Sequence, residues 1–264
     1  CEEVGRNMTV FEYGQDIVIL DMGLQFPEED MPGIDYVIPN VEYLKGRENN
    51  IKAVIFSHGH LDHIGAAPIL LKQLQNPQII GRPLTIEMIK HRQEDFDRNS
   101  SKKLKTLYIK SLDDRIKLGS FTLSFFQIDH TIMDAVGVIL ETPVATVIHP
   151  GDWTLEKTGG KVITYTHLAR LPRPTILMLE ALGSTVSKVR VTQEEMLNNL
   201  YGLISKAPGR TIIATFSSQI ERIRQILEYA AQTNRKVALD GFSMKLNVEL
   251  ATKLGYVKIP KGVI

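Results

Sequence analysis

Two hydrophobic rhythms alternate along this 264-residue chain. Residues 8–13 alternate apolar and polar positions, and residues 17–23 are apolar nearly throughout. With Gly14-Gln15-Asp16 between them, they predict a hairpin whose second strand is buried and ends at Asp21. Residues 26–40 hold three prolines and a run of acids, the composition of a surface loop. Residues 51–56 read as another buried strand, followed by a helix over about 64–75 and a strand-helix unit over 78–98. Strands are predicted at 122–128, 136–141 and 145–149, and a further buried one at 174–180 that ends in Glu180. Beyond about residue 192, helices at 192–207, 219–232 and 243–254 alternate with strands at 210–216 and 236–240. That order predicts a parallel sheet covered on both faces. The chain thus divides into an α/β domain over 1–190 and a second α/β module over 191–264.

The chemistry gathers where the 51–56 strand ends, in Ser57-His58-Gly59-His60-Leu61-Asp62-His63. His58 and His60 are two apart, so an extended backbone points both rings to one side, toward one ion. Asp62 and His63 lie around the bend and can face a second ion, with Gly59 expected to ease the turn. Three of the chain's seven histidines fall within six residues, which a solvated polar loop does not explain. Imidazole with carboxylate suits zinc, and manganese is also compatible. Two later strand ends offer further donors. His130 follows the 122–128 strand, with Asp129 beside it, and Asp152 sits in Pro150-Gly151-Asp152-Trp153, where Gly151 frees the backbone to aim the carboxylate inward. Asp21 has two readings that the sequence leaves open, orienting a ligand histidine or bonding a loop. His149 reads as packed. The basic stretch 98–105 reads as a solvated helix end or loop.

Composition narrows the partners only slightly. At 43% hydrophobic and 23% charged residues with a net charge of +1, the chain has no global field for a polyanion, so any nucleic acid must be held by local basic clusters. The single cysteine, Cys1, excludes internal disulfides and fits a reducing compartment. No apolar run approaches the roughly 20 residues that span a bilayer. Nothing at the start resembles a signal peptide, and the reading is cytoplasmic. The chain starts at Cys1 and stops at Lys261-Gly262-Val263-Ile264, and both ends are expected to be cut edges.

His58-Gly-His60-Leu-Asp62-His63, then His130, then Gly151-Asp152, in that order and at those distances, resembles the metallo-β-lactamase superfamily. Asp21 matches its early strand-end aspartate. The second module resembles the β-CASP insertion of nucleases, with Glu180 in the place of its first acidic motif. Gly5-Arg6-Asn7-Met8, Met22-Gly23-Leu24-Gln25-Phe26-Pro27-Glu28-Glu29, Gly33-Ile34-Asp35-Tyr36-Val37-Ile38-Pro39 and Leu254-Gly255-Tyr256 resemble the ribonuclease J family. The likeness covers essentially the whole chain. It implies an αββα sandwich over 1–190 and a partial β-CASP module over 191–264. It also implies two divalent ions, Zn2+ or alternatively Mn2+. His58, His60 and His130 would hold one, Asp62 and His63 the other, and Asp152 would bridge them.

The implied activity is hydrolysis of RNA phosphodiesters by a metal-activated hydroxide, on single-stranded RNA, from the 5′ end or internally. Asp62, Asp152 and Glu180 are the implied catalytic carboxylates, although for Glu180 loop anchoring is the equal alternative. Oligomerisation with further copies of the chain is compatible with the reading. Two departures stand out. Leu61 replaces a usual acidic residue, and Glu221 stands where histidine is expected, which puts negative charge near a helix start. Two later histidines of the family pattern fall outside this sequence. A hydrolase of lactams, lactones or thioesters would share every ligand up to Asp152, and an inactive fragment would share them too.

Overall fold

The hairpin that opens the chain forms as its pattern predicts. β1 (Thr9–Tyr13) and β2 (Asp16–Leu20) pair antiparallel across a turn in which Gly14 takes φ 59°. The computed structural model describes residues 5–153, 163–182, 184 and 193–264. These fall into two compact units, one holding all the strands and the first three helices, the other the last three helices.

In the first unit, β2 is followed by β3 (Ile51–Ile55), β4 (Ile79–Gly81) and β5 (Thr106–Tyr108), which add in parallel to give a sheet of order β1-β2-β3-β4-β5. The connections run through α1 (Leu61–Ile64), α2 (Ala67–Gln73) and α3 (Pro83–Phe96). A second sheet has the order β10-β9-β8-β7-β6, made of β6 (Ile116–Leu118), β7 (Phe121–Gln127), β8 (Val136–Glu141), β9 (Thr146–His149) and β10 (Thr175–Leu177). Val18, Leu20, Ala53, Ile55 and Ile80 of the first sheet share one buried cluster with Phe121, Leu123, Phe125, Val138 and Leu140 of the second. The two sheets therefore sandwich a common core. The outer face of the second sheet buries Phe126, Ile139 and Ile148 against Trp153, Tyr165 and Leu168. Among the described residues, no helix is long and apolar enough to cross a membrane.

Several local predictions change. The helix expected over 64–75 is two helices, because the chain turns at Gly65-Ala66 and restarts with Pro68 in the first turn of α2. The three-residue strands β5 and β6 are too short to show a period. β10, expected to be buried, is an edge strand that among the described residues pairs only with β9, and Ile176 and Leu177 are exposed. α3 has no cap from its own N-terminal residue Arg82. Asp134, from the connection before β8, takes that place, accepting the Leu84 N–H at 2.7 Å and the Thr85 hydroxyl at 3.1 Å.

The second unit contains α4 (Gln193–Lys206), α5 (Ile220–Gln232) and α6 (Phe242–Lys253), each within a few residues of its predicted bounds. Ile223, Leu227, Ala230, Val248 and Val263 form its core. The strands expected at 210–216 and 236–240 are absent: neither segment joins a ladder among the described residues. Alternating apolar residues prepare a segment for a sheet, but a strand exists only with a neighbour to bond.

Candidate metal centre

β3 lies in the middle of the first sheet, and its carboxyl end delivers Phe56-Ser57-His58 to one sheet edge. His60 is still extended (φ −72°, ψ 151°) and caps α1, so Asp62 and His63, expected in a loop, occupy the helix's first turn. Gly59 takes no left-handed φ. Gly151 does, at φ 68°, and a Cβ there would press within 3.3 Å of Ser57 Cβ and Oγ. The turn that presents Asp152 therefore requires glycine at its base.

The side chains converge. His58 Nε2 lies 3.1 Å from His60 Nδ1, and the His58 and His63 ring centroids are 4.0 Å apart. His63 Nε2 is 3.3 Å from Asp152 Oδ1 and 3.5 Å from Asp62 Oδ2. Two trios bring their donor atoms within 4.8 Å of one another: His58, His60 and His130, and His58, His63 and Asp152. Asp62 adjoins the second trio through His63. Glu180 is in neither trio; it is exposed, and its Oε2 accepts the Leu182 N–H at 2.6 Å, a loop-anchoring bond.

Behind the centre stands Asp21, buried at the end of β2 with φ 63°. That conformation costs a non-glycine residue on the order of 1–2 kcal/mol. It lets the carboxylate accept three bonds, each at 2.8 Å, from the Ser57 N–H, the Ser57 hydroxyl and His63 Nδ1–H. Ser57 Oγ in turn accepts from His58 Nδ1 at 3.0 Å. Asp21 thus bonds the loop and orients a histidine at once, so the two readings left open by the sequence both hold. The network ties back the Nδ1 of both His58 and His63 and leaves each Nε2 facing the centre.

The electrostatics fit a cation. Burial disfavours a charged His63, but the Asp21 and Asp152 carboxylates outweigh it and raise the ring's pKa to about 10. Burial lowers the pKa of His60, keeping that ring neutral with a lone pair to offer. The facing nitrogens of His58 and His60 need a shared proton or a cation between them. Neutral imidazoles beside a ring held positive by two carboxylates make a donor set in which a metal ion replaces protons. His149 is depressed by burial as well, and its Nδ1 accepts the Gly151 N–H at 3.0 Å, a packing role.

Two contributors escaped the sequence reading. Ser57 was signalled only by its adjacency to His58. Asn7, whose amide nitrogen is 3.1 Å from His63 Nε2, lies more than fifty residues from its partners, and no spacing rule connects them.

Comparison with known proteins gives this geometry a family. The model of the metallo-β-lactamase superfamily matches residues 2–183, and the model described as Ribonuclease J, beta-CASP domain matches residues 208–264. The chain belongs to the metallo-β-lactamase superfamily. Ribonuclease J of Thermus thermophilus is 39% identical over 267 residues, covering 97% of this chain and 46% of that protein. Ribonuclease J of Corynebacterium glutamicum is 34% identical over 271 residues, covering 99% and 36% respectively. The chain thus spans less than half the length of these curated relatives. The crystal structure of a protein of unknown function from Enterococcus faecalis V583 shares the fold, with a TM-score of 0.66 at 16% identity, over 97% of this chain and 66% of that one.

Proposed function

We propose that the chain is part of a metal-dependent ribonuclease that hydrolyses single-stranded RNA in the cytoplasm, with residues 1–190 as the catalytic domain and 191–264 beginning a β-CASP module. The observation that carries this reading is the convergence of His58, His60, His63, His130 and Asp152 from separate segments of the chain. The substrate class comes from the likeness to the Ribonuclease J relatives.

The reading assigns two ions, Zn2+ or Mn2+. His58 belongs to both trios but has one nitrogen to offer, since its Nδ1 is held by Ser57. Asp62 together with His63 would hold the second ion, with Asp152 as the carboxylate the two ions would share. Divalent ions held there supply Lewis acidity toward a phosphodiester and make water acidic enough to attack at neutral pH. The chain's own residues do the rest. Asp21 keeps Nε2 of His63 aimed inward, directly, and that of His58 through Ser57. Asp62, a partly exposed carboxylate beside His63, accepts a proton or holds the attacking water in line. Glu180, beyond the end of β10, anchors its own loop through the Leu182 N–H. A hydrolase of lactams, lactones or thioesters on the same ligands is not favoured, because residues 208–264 match a nuclease module.

The test uses a 5′-labelled single-stranded RNA with Mn2+ or Zn2+ beside a chromogenic lactam. RNA cleavage should fall at least about a thousandfold in His58→Ala and in Asp152→Ala while far-UV circular dichroism is unchanged. Cleavage that persists in both variants removes the metal mechanism, and ion uptake without turnover of either substrate identifies a binding fragment.

A further inference from the structure

The phrase Gly5-Arg6-Asn7-Met8 belongs to no element of the sandwich, yet it is fastened to the metal centre. Arg6 N–H bonds Leu24 O at 3.3 Å, Asn7 N–H bonds Asp62 O at 3.0 Å, and Gly23 N–H bonds Asn7 O at 2.8 Å. The fit is tight because position 23 has no side chain: a Cβ on Gly23 would stand 1.6 Å from Asp62 O and 2.7 Å from Asn7 N. The backbone of Asn7 is therefore fixed independently of its side chain. That side chain reaches past the backbone into the centre, with Nδ2 3.4 Å from Asp62 Oδ2 and 3.1 Å from His63 Nε2.

We infer that Asn7 is a positioning residue for the cation that Asp62 and His63 would hold, its amide N–H bonding Oδ2 of Asp62 and so fixing that carboxylate beside His63 Nε2. The inference rests on the two-ion reading above and deepens it. Asp62 is held less firmly than His63. Its side chain is about a third exposed, whereas His63 is locked from behind by Asp21. A carboxylate on an exposed helix turn samples several rotamers, and a single donor on one oxygen selects among them. Alanine removes this donor, and aspartate replaces it with a like charge.

The experiment is titration of the ion-free 264-residue chain with Mn2+, followed by calorimetry and by electron paramagnetic resonance, for the wild type, Asn7→Ala and Asn7→Asp. The wild type should take up two ions in resolved steps. Asn7→Ala should weaken the second step by about 10–100-fold, the usual effect of losing a group that orients a ligand, and leave the first step unchanged. Its ion-free melting temperature should match the wild type, since the backbone bonds of the strap do not involve the side chain. Asn7→Asp should weaken the second step at least as much, because it removes the N–H and sets a like charge beside Asp62. An Asn7→Asp chain that binds as tightly as the wild type or tighter overturns the donor role. Wild-type affinity in Asn7→Ala overturns it too, and so does a lowered ion-free melting temperature with both steps weakened. If the wild type takes up no Mn2+ or a single ion, the two-ion reading falls and the inference with it; wild-type uptake of two ions with either variant outcome above overturns the inference alone.

Discussion

The two units of this chain were equally readable as alternating apolar patterns, yet they end differently. In the first, every predicted strand finds a neighbour, and Phe121, Leu123 and Leu140 close over Val18 and Ile55 in a shared core. The buried polar groups at its metal centre, Asp21, Ser57, His58 and His63, are bonded to one another. In the second, α4–α6 form but the segments between them join no ladder; Ile212 is 89% and Phe216 77% exposed. That unit also carries an open pocket of about 270 Å³ lined in part by Ile213, Ile226, Leu239 and Met244. Periodicity states which face a segment is ready to bury. Whether the face is buried depends on a partner that periodicity does not name.

Substitutions can break this contrast or sharpen it. The largest effect is expected at Phe121, fully buried between the sheets: Phe121→Ala should cost about 3–5 kcal/mol in urea unfolding. A loss below about 1 kcal/mol would mean that the sandwich core is not what holds the first unit. Asp21→Ala comes next, at about 3 kcal/mol, because it strands the Ser57 N–H and hydroxyl in the interior and leaves His63 without its nearer carboxylate. Melting of the ion-free chain measures it, and a neutral result would show that water replaces the carboxylate.

A buried carboxylate can also work against the fold, and Asp134 gives that case. Burial pushes its carboxyl up to about 6 from an ordinary 3.8, in spite of the favourable bonds from the Leu84 N–H and the Thr85 hydroxyl. The folded chain then holds this proton more firmly than the unfolded one. Its contribution is fully present below about pH 4 and is lost as pH rises through about 6, by about 3 kcal/mol at most. Asp134→Asn keeps an acceptor for Leu84 and should flatten that part of the stability profile between pH 4 and 7. An unchanged profile would locate the titration elsewhere. The smallest effect is expected in the second unit, where Ile212→Ser should stay within about 0.5 kcal/mol. A larger loss would show that this face is covered after all.

The elements with long periods were legible from the sequence: the hairpin, β7, β8, β9 and the last three helices. β5 and β6 were not, since three residues carry no rhythm. The burial of β10 was misjudged because a run such as Ile176-Leu177 looks the same at a sheet's edge as at its centre. In the site, His58, His60, Asp62 and His63 announced themselves by crowding, and His130 and Asp152 by falling at strand ends. Asp21 showed its position but not its three bonds, which depend on a left-handed backbone that an aspartate seldom adopts. Asn7 showed only its place in the phrase Gly5-Arg6-Asn7-Met8 and no role, since its contacts arise only when the residues before β1 fold back over a turn far along the chain.

The absence of a side chain at Gly23 has a consequence for motion. The amides of Asn7, Met22 and Leu24 are bonded to the carbonyls of Asp62, His63 and Leu61, so the turn carrying two donors is stitched to the strand end beside it. Deuterium should enter these three amides only when the whole sheet opens, not at the pace of a surface turn. An ion held there would then be released by rare, large excursions of the fold, and its residence time would report on the stability of the sandwich itself.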